Sequence, residues 1–314
     1  MFKSGRKGKV AMKAGFWDIA NRFLSLIRFS HTLFALPFAL SAAALAWSRH
    51  GFSWIQLVGI VACLSLARAA AMAFNRLADE AFDAANPRTA GRHIPAGLLS
   101  RGAVRAFFAA TSLGFVAATA VFLLEGNAVP LIMSLPTLAW ICCYSYAKRF
   151  TALSHFWLGV ALMLAPAAAW VVALGWGVLA EPWIPLLLGL AVFFWVAGFD
   201  IIYATQDADF DRASGLRSMP ALLGVRGALW LARACHAATV VCLAPLPLVA
   251  PDMLGAIYWA GVAAVATLLI VEHALVRPDN LSRVNQAFFQ VNAVISVGLL
   301  VIVLLDIGRH RFLP

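Results

Sequence analysis

Residues 54–83 read WIQLVGIVACLSLARAAAMAFNRLADEAFD, an apolar run ending in Asn75, Asp79 and Asp83. The run is long enough to cross a bilayer as a helix, and the four-residue spacing stacks the three closing side chains on one helical face. Arg68 lies seven residues before Asn75, on nearly the same face and deeper in the apolar stretch. A second apolar run, 184–204, leads into YATQDADFD at 203–211, which places Tyr203, Asp207 and Asp211 at the same spacing, with Asp200 just before them. Together the clusters Asp79, Glu80, Asp83 and Asp200, Asp207, Asp209, Asp211 hold seven of the fourteen acidic residues in a chain that is 63% hydrophobic. Acids at a membrane edge cost free energy unless paired, hydrated or metal-bound, so they mark a site.

Working outward, apolar segments recur nine times, at about 26–47, 54–77, 102–124, 128–147, 154–175, 184–204, 226–249, 255–276 and 286–306. The expected fold is all-α: a polytopic membrane protein with nine transmembrane helices around a central cavity, in a single domain over 26–306. Residues 1–25 read as a basic cytoplasmic tail (Lys3, Arg6, Lys7, Lys9, Lys13) and 307–314 as a short C-terminal tail. The N-terminus does not read as a cleavable signal peptide. Arg88, Arg92, Arg101, Lys148, Arg149, Arg212, Arg217, Arg277 and Arg283 all fall on one side, against Arg49 and the late Arg309 and Arg311 on the other. That asymmetry puts the N-terminus and both acid clusters on the cytoplasmic face of the inner membrane, with the C-terminus outside. The net charge of +10 is spread between apolar segments, which fits topology and not nucleic-acid binding. Cys63, Cys142, Cys143, Cys235 and Cys242 have no metal or redox spacing, and His31, His155, His236 and His273 share no ligand spacing either.

The two longest connections, 78–101 and 205–225, follow the acid clusters and carry Gly and Pro, as binding loops often do. Their separation by four helices hints at a duplicated four-helix unit. Carboxylates at this spacing suit Mg²⁺, which is held by one or two carboxylates together with substrate phosphates. Arg76, Arg88, Arg92, Lys148, Arg149 and Arg217 lie nearby in sequence, and metal plus Lys and Arg is a recurring way to hold a diphosphate. Tyr144 and Lys148, four residues apart, put a phenol and an ammonium on one face of the fourth span. Two other classes use membrane-embedded acids: cation-coupled transporters, which place them near the midplane, and CDP-alcohol phosphotransferases, whose D-G-x-x-A-R signature is absent here.

At these residues the sequence resembles the UbiA family of intramembrane aromatic prenyltransferases. Asn75, Asp79 and Asp83 match the family's N-x-x-x-D-x-x-x-D motif, Asp207 and Asp211 its D-x-x-x-D motif, and Tyr144 and Lys148 its Y-x-x-x-K. Residues 89–97 resemble its first loop, and residues 30–38 and 203–216 look like the branch of 4-hydroxybenzoate polyprenyltransferases and the related menaquinone-pathway enzymes. Arg76 stands where many relatives have Asp, replacing a possible ligand by a cation. The resemblance implies that Asn75, Asp79, Asp83, Asp207 and Asp211 hold Mg²⁺. It also implies that Arg76, Arg92, Tyr144, Lys148, Arg149 and Tyr203 bind the diphosphate of a polyprenyl donor, whose tail lies open to the lipid bilayer. An electron-rich aromatic acceptor then attacks the allylic cation, with Asp200 as candidate proton acceptor and Arg68 or Arg28 as candidate partners for an acceptor carboxylate. Haem, naphthoate and lipid acceptors stay open.

Overall fold

The computed structural model describes residues 16–27 and 32–312. Helices run over α1 Phe16–Leu26, α2 Thr32–His50, α3 Trp54–Ala78, α4 Glu80–Ala85, α5 Arg101–Ala120, α6 Val129–Phe150, α7 Ser154–Leu174, α8 Trp183–Ala204, α9 Ala208–Ala213, α10 Met219–Leu243, α11 Leu246–Val249, α12 Ala256–Leu275, α13 Val284–Gln286 and α14 Asn292–Phe312. Among the described residues 8 helices are long and apolar enough to cross a membrane. The 19-residue α2 occupies the place of the first expected span.

The helix ends are written in the sequence. Ser53, Ser100 and Ser218 each accept a first-turn backbone N–H, which satisfies a donor that the helix itself leaves unpaired. Gly126, at φ 75°, lets the chain turn between α5 and α6, the left-handed conformation glycine adopts freely. Asp306, fully buried on α14, accepts the backbone N–H groups of Gly255 and Tyr258 at 2.5 and 2.9 Å and so caps α12 from a neighbouring helix.

The central column is α8, most of whose residues are buried, with α7 and α10 packed along it. α3 pairs with α5, and α2 lies between α7 and α14. Lipid offers apolar contacts as good as a helix does, so association rests on close packing at small residues. Gly159 illustrates this: a Cβ there would sit 2.6 Å from the Phe193 carbonyl oxygen. Backbone cannot swing aside as a side-chain tip does, so Gly159→Ala is expected to separate α7 from α8. The expected cost is about 1–3 kcal/mol, visible as a lowered Tm in detergent.

Two boundaries differ from the sequence reading. The tail expected over 1–25 holds most of α1, and α2 covers the expected first span from Thr32 on. Phe16, Ile19, Phe23, Leu26 and Ile27 recur at helical spacing. Phe23 stacks on Phe107 at 4.6 Å, and Leu26 and Ile27 are buried with Ile94 and Leu99. Arg22 and Ser25 then tie α1 to the loop after α4, through the Leu98 carbonyl at 2.9 Å and His93 at 2.8 Å. At the other end, α14 continues past residue 306 to Phe312.

Candidate active site

Both acid clusters have the same local architecture. α3 ends at Asp79 (φ −97°, ψ 7°), followed by the six-residue α4 that carries Asp83. α8 passes through a short 3₁₀ turn to Asp207 (φ −107°, ψ 5°), followed by the six-residue α9 that carries Asp211. Each first aspartate therefore sits in the sparsely populated bridge region, where helical direction changes and active-site residues are often found. This corrects the expectation of a continuous helical face: the chain bends at the first acid of each pair. At the first cluster the bend keeps the i→i−4 register, since Asp79 N–H donates to the Asn75 carbonyl at 2.9 Å and Asp83 N–H to that of Asp79 at 2.8 Å. The Asn75 amide also donates to the Asp79 carboxylate at 2.7 Å. Helix, bent aspartate and short helix thus recur at both clusters.

Each of the four motif aspartates meets a cation. Arg149 approaches Asp79 at 3.5 Å; Arg76 and Arg92 reach Asp83 at 3.3 and 2.5 Å; Lys148 reaches Asp211 at 3.0 Å. Asp207 is held by Arg88, through Nε at 2.8 Å and a second guanidinium nitrogen, and by Asn86 at 3.1 Å. Arg88 also donates to the Tyr203 hydroxyl at 2.9 Å. Loop 86–99 thus crosses from the first acid cluster to the second, a link spacing alone does not reveal. The sequence marks this stretch as a Gly- and Pro-bearing binding loop with Arg88 among its basics, but not the partner that Arg88 takes. Arg217 stands apart: its side chain donates to the Phe150 carbonyl at 2.8 Å and its backbone to Lys148 at 2.7 Å. Burial, and then the Asp83 carboxylate, push the Asp79 carboxyl above the ordinary carboxylate range.

These groups line one end of a cavity of about 670 Å³, a usual size for a ligand pocket. Asn75, Arg76, Asp79, Asp83, Arg88, Arg92, Tyr144, Lys148, Arg149, Tyr203, Asp207 and Asp211 all face it, and Arg68 and Asp200 line it too. Arg28 lies outside the described residues. Beyond them the wall turns apolar, through Leu162 and Phe115 to Phe122 and Val172. Along α7 the lining extends from Leu158 to Val172, about 21 Å at the helical rise. The cavity is a charged mouth on a long greasy barrel.

The cluster donors are all oxygens, which fits a hard divalent cation such as Mg²⁺. Among the described residues no three acidic, imidazole or thiol groups converge to encage an ion. Any metal here therefore needs water or ligand oxygens to complete its shell, which is how Mg²⁺ is usually held.

Residues 35–294 match the UbiA prenyltransferase family. The chain belongs to that family. As a UbiA-family prenyltransferase it is a transferase embedded in a membrane, which removes the transporter and phosphotransferase readings. Its sequence is 30% identical over 251 residues to a 4-hydroxybenzoate octaprenyltransferase of Aeromonas salmonicida, covering 78% of this chain and 82% of that one. Its fold superposes on a UbiA homolog from Aeropyrum pernix K1 with a TM-score of 0.75 at 34% identity, covering 90% of this chain and 98% of that one. A UbiA homolog from Archaeoglobus fulgidus, solved with geranyl diphosphate (GPP) and Mg²⁺, shares the fold at TM-score 0.71 and 19% identity, covering 91% and 99% of the two chains.

Proposed function

We propose that this UbiA-family enzyme transfers a polyprenyl group from its diphosphate to an aromatic acceptor of the 4-hydroxybenzoate type, in ubiquinone or menaquinone synthesis. The proposal places the charged mouth on the cytoplasmic face of the inner membrane. The observation that carries it is the cavity itself, with two aspartate pairs and five cations at one end and a mostly apolar wall that runs about 21 Å along α7. The name of the Aeromonas relative supports the acceptor class, and the ligands of the Archaeoglobus homolog support a prenyl diphosphate with Mg²⁺.

Asn75, Asp79, Asp83, Asp207 and Asp211 would hold Mg²⁺, which when bound supplies positive charge to the diphosphate oxygens. Arg76, Arg88, Arg92, Lys148 and Arg149 are already drawn to the mouth by the aspartates. They exchange carboxylate for phosphate partners as donor enters, stabilising the leaving group's charge where it develops. Tyr144 and Tyr203 line the same end and orient the donor. The apolar wall excludes water from the allylic cation, and the prenyl tail runs along it toward lipid. Arg68, deeper in the cavity, pairs with an acceptor carboxylate.

The purified protein, given geranyl diphosphate, Mg²⁺ and 4-hydroxybenzoate, should release diphosphate and form a prenylated aromatic product, both lost with EDTA. Absence of product with 4-hydroxybenzoate, a naphthoate and haem alike would overturn the reading. Lys148→Ala should raise the KM for the diphosphate donor by about tenfold, the worth of one charge-assisted hydrogen bond, with the acceptor KM unchanged.

A further inference from the structure

Of the five aspartates lining the cavity, Asp79, Asp83, Asp207 and Asp211 are engaged by Arg or Lys. Asp200 differs: among the described residues its ion-pair partner is an imidazole, His155 Nδ1, 2.7 Å from Asp200 Oδ2. The two also differ in exposure. The His155 side chain is 0% accessible, whereas that of Asp200 keeps 16% and faces the cavity.

The other ring nitrogen fixes the tautomer. The Met219 backbone N–H, at the start of α10, donates to His155 Nε2 at 3.3 Å, so Nε2 offers its lone pair and a neutral ring carries its proton on Nδ1. Nδ1–H therefore donates to Asp200 Oδ2. This holds the carboxylate in one orientation through Oδ2, on a residue that lines the cavity, and leaves Oδ1 as its second oxygen. Residues from α7, α8 and α10 converge to make this arrangement. A buried imidazole with both nitrogens engaged, behind a largely sheltered carboxylate that faces a cavity, is the geometry of an oriented general base.

We propose that Asp200 takes the proton lost by the acceptor ring and that His155 is the positioning residue that keeps it ready; this rests on the function proposed above. As the C–O bond to diphosphate breaks, an electron pair of the ring forms the new C–C bond to the allylic carbon. The electron pair of the ring C–H bond then restores aromaticity, and the proton passes to Asp200 Oδ1. It leaves to water with product release. Placing the base on a carboxylate separate from the acid pairs leaves those pairs free for the metal and diphosphate.

The test compares the full-length protein with Asp200→Asn, His155→Phe and His155→Asn, using geranyl diphosphate, Mg²⁺ and 4-hydroxybenzoate with either protium or deuterium on the ring. Asp200→Asn should lose about 10²–10⁴-fold in kcat, and His155→Phe about 10–100-fold, the worth of a hydrogen bond to a charged group. Both should show a primary ring-deuterium isotope effect absent from the wild type, because deprotonation has become slow. His155→Asn, whose amide can replace the Nδ1 donor, should recover much of the rate and reduce the isotope effect. Slower variants without any isotope effect would make His155 and Asp200 structural cross-links and overturn the dyad. If His155→Phe fails to fold, Asp200→Asn and His155→Asn decide it by the same readout. A wild type that forms no prenylated product would overturn the proposed function, and the dyad with it.

Discussion

Asp79→Ala and Asp207→Ala are each expected to lower prenyl transfer by at least about 10³-fold, since a metal clamp on a departing diphosphate is worth several kcal/mol. The folded protein should persist. Removing Asp79 leaves Arg149, and removing Asp207 leaves Arg88, and these cations retain 37% and 30% of their side-chain exposure, enough to hydrate the charge released. Asp83 is the contrasting case. Its carboxylate and the Arg76 guanidinium are only 7% and 8% exposed. Deleting that acid takes the shared carboxylate away from both Arg76 and Arg92, and losing one partner of a buried pair costs about 3–5 kcal/mol. Asp83 variants therefore mix stability with catalysis, whereas Asp79 and Asp207 report on catalysis. Diphosphate release across a Mg²⁺ titration, alongside thermal unfolding in detergent, separates the effects. Near-normal Mg²⁺-dependent turnover in either variant would remove that cluster from the site.

Arg68→Ala is expected to raise the KM for 4-hydroxybenzoate by about 10–100-fold, the range for losing a hydrogen-bonded charge partner. The donor KM should stay unchanged. Arg68 lines the cavity but lies seven residues before Asn75 on α3, about 10 Å deeper by the helical rise, away from the diphosphate end. The discriminating comparison is 4-hydroxybenzyl alcohol, which lacks the carboxylate. Its KM should respond little to the substitution. Equal losses for both acceptors would assign Arg68 to packing or to the donor.

Hydropathy and spacing were enough to place the elements and to pick out most of the polar residues that gather at the mouth. Apolar runs of bilayer length locate the long helices, with ends displaced by up to about two turns, because a lipid environment leaves the backbone little choice but helix. Asn75, Asp79, Asp83, Tyr144, Lys148, Asp207 and Asp211 were legible because their spacing recurs over one or two helical turns. A short-range pattern of this kind survives folding unchanged. The bends at Asp79 and Asp207 were not legible, since i, i+4, i+8 spacing is the same for a straight helix and for one that changes direction at its second acid. The amphipathic α1 was masked by the basic residues around it. Tertiary structure alone decided the long-range pairings: Arg88 with Asp207 across 119 residues, His155 with Asp200 across 45, and Asp306 on the start of α12. Each joins side chains from separate elements whose proximity depends on how helices cross. Helix crossing is set by small residues such as Gly159 meeting particular backbone atoms. Sequence spacing can place a carboxylate on a helix; only the packing chooses which cation or imidazole stands opposite it.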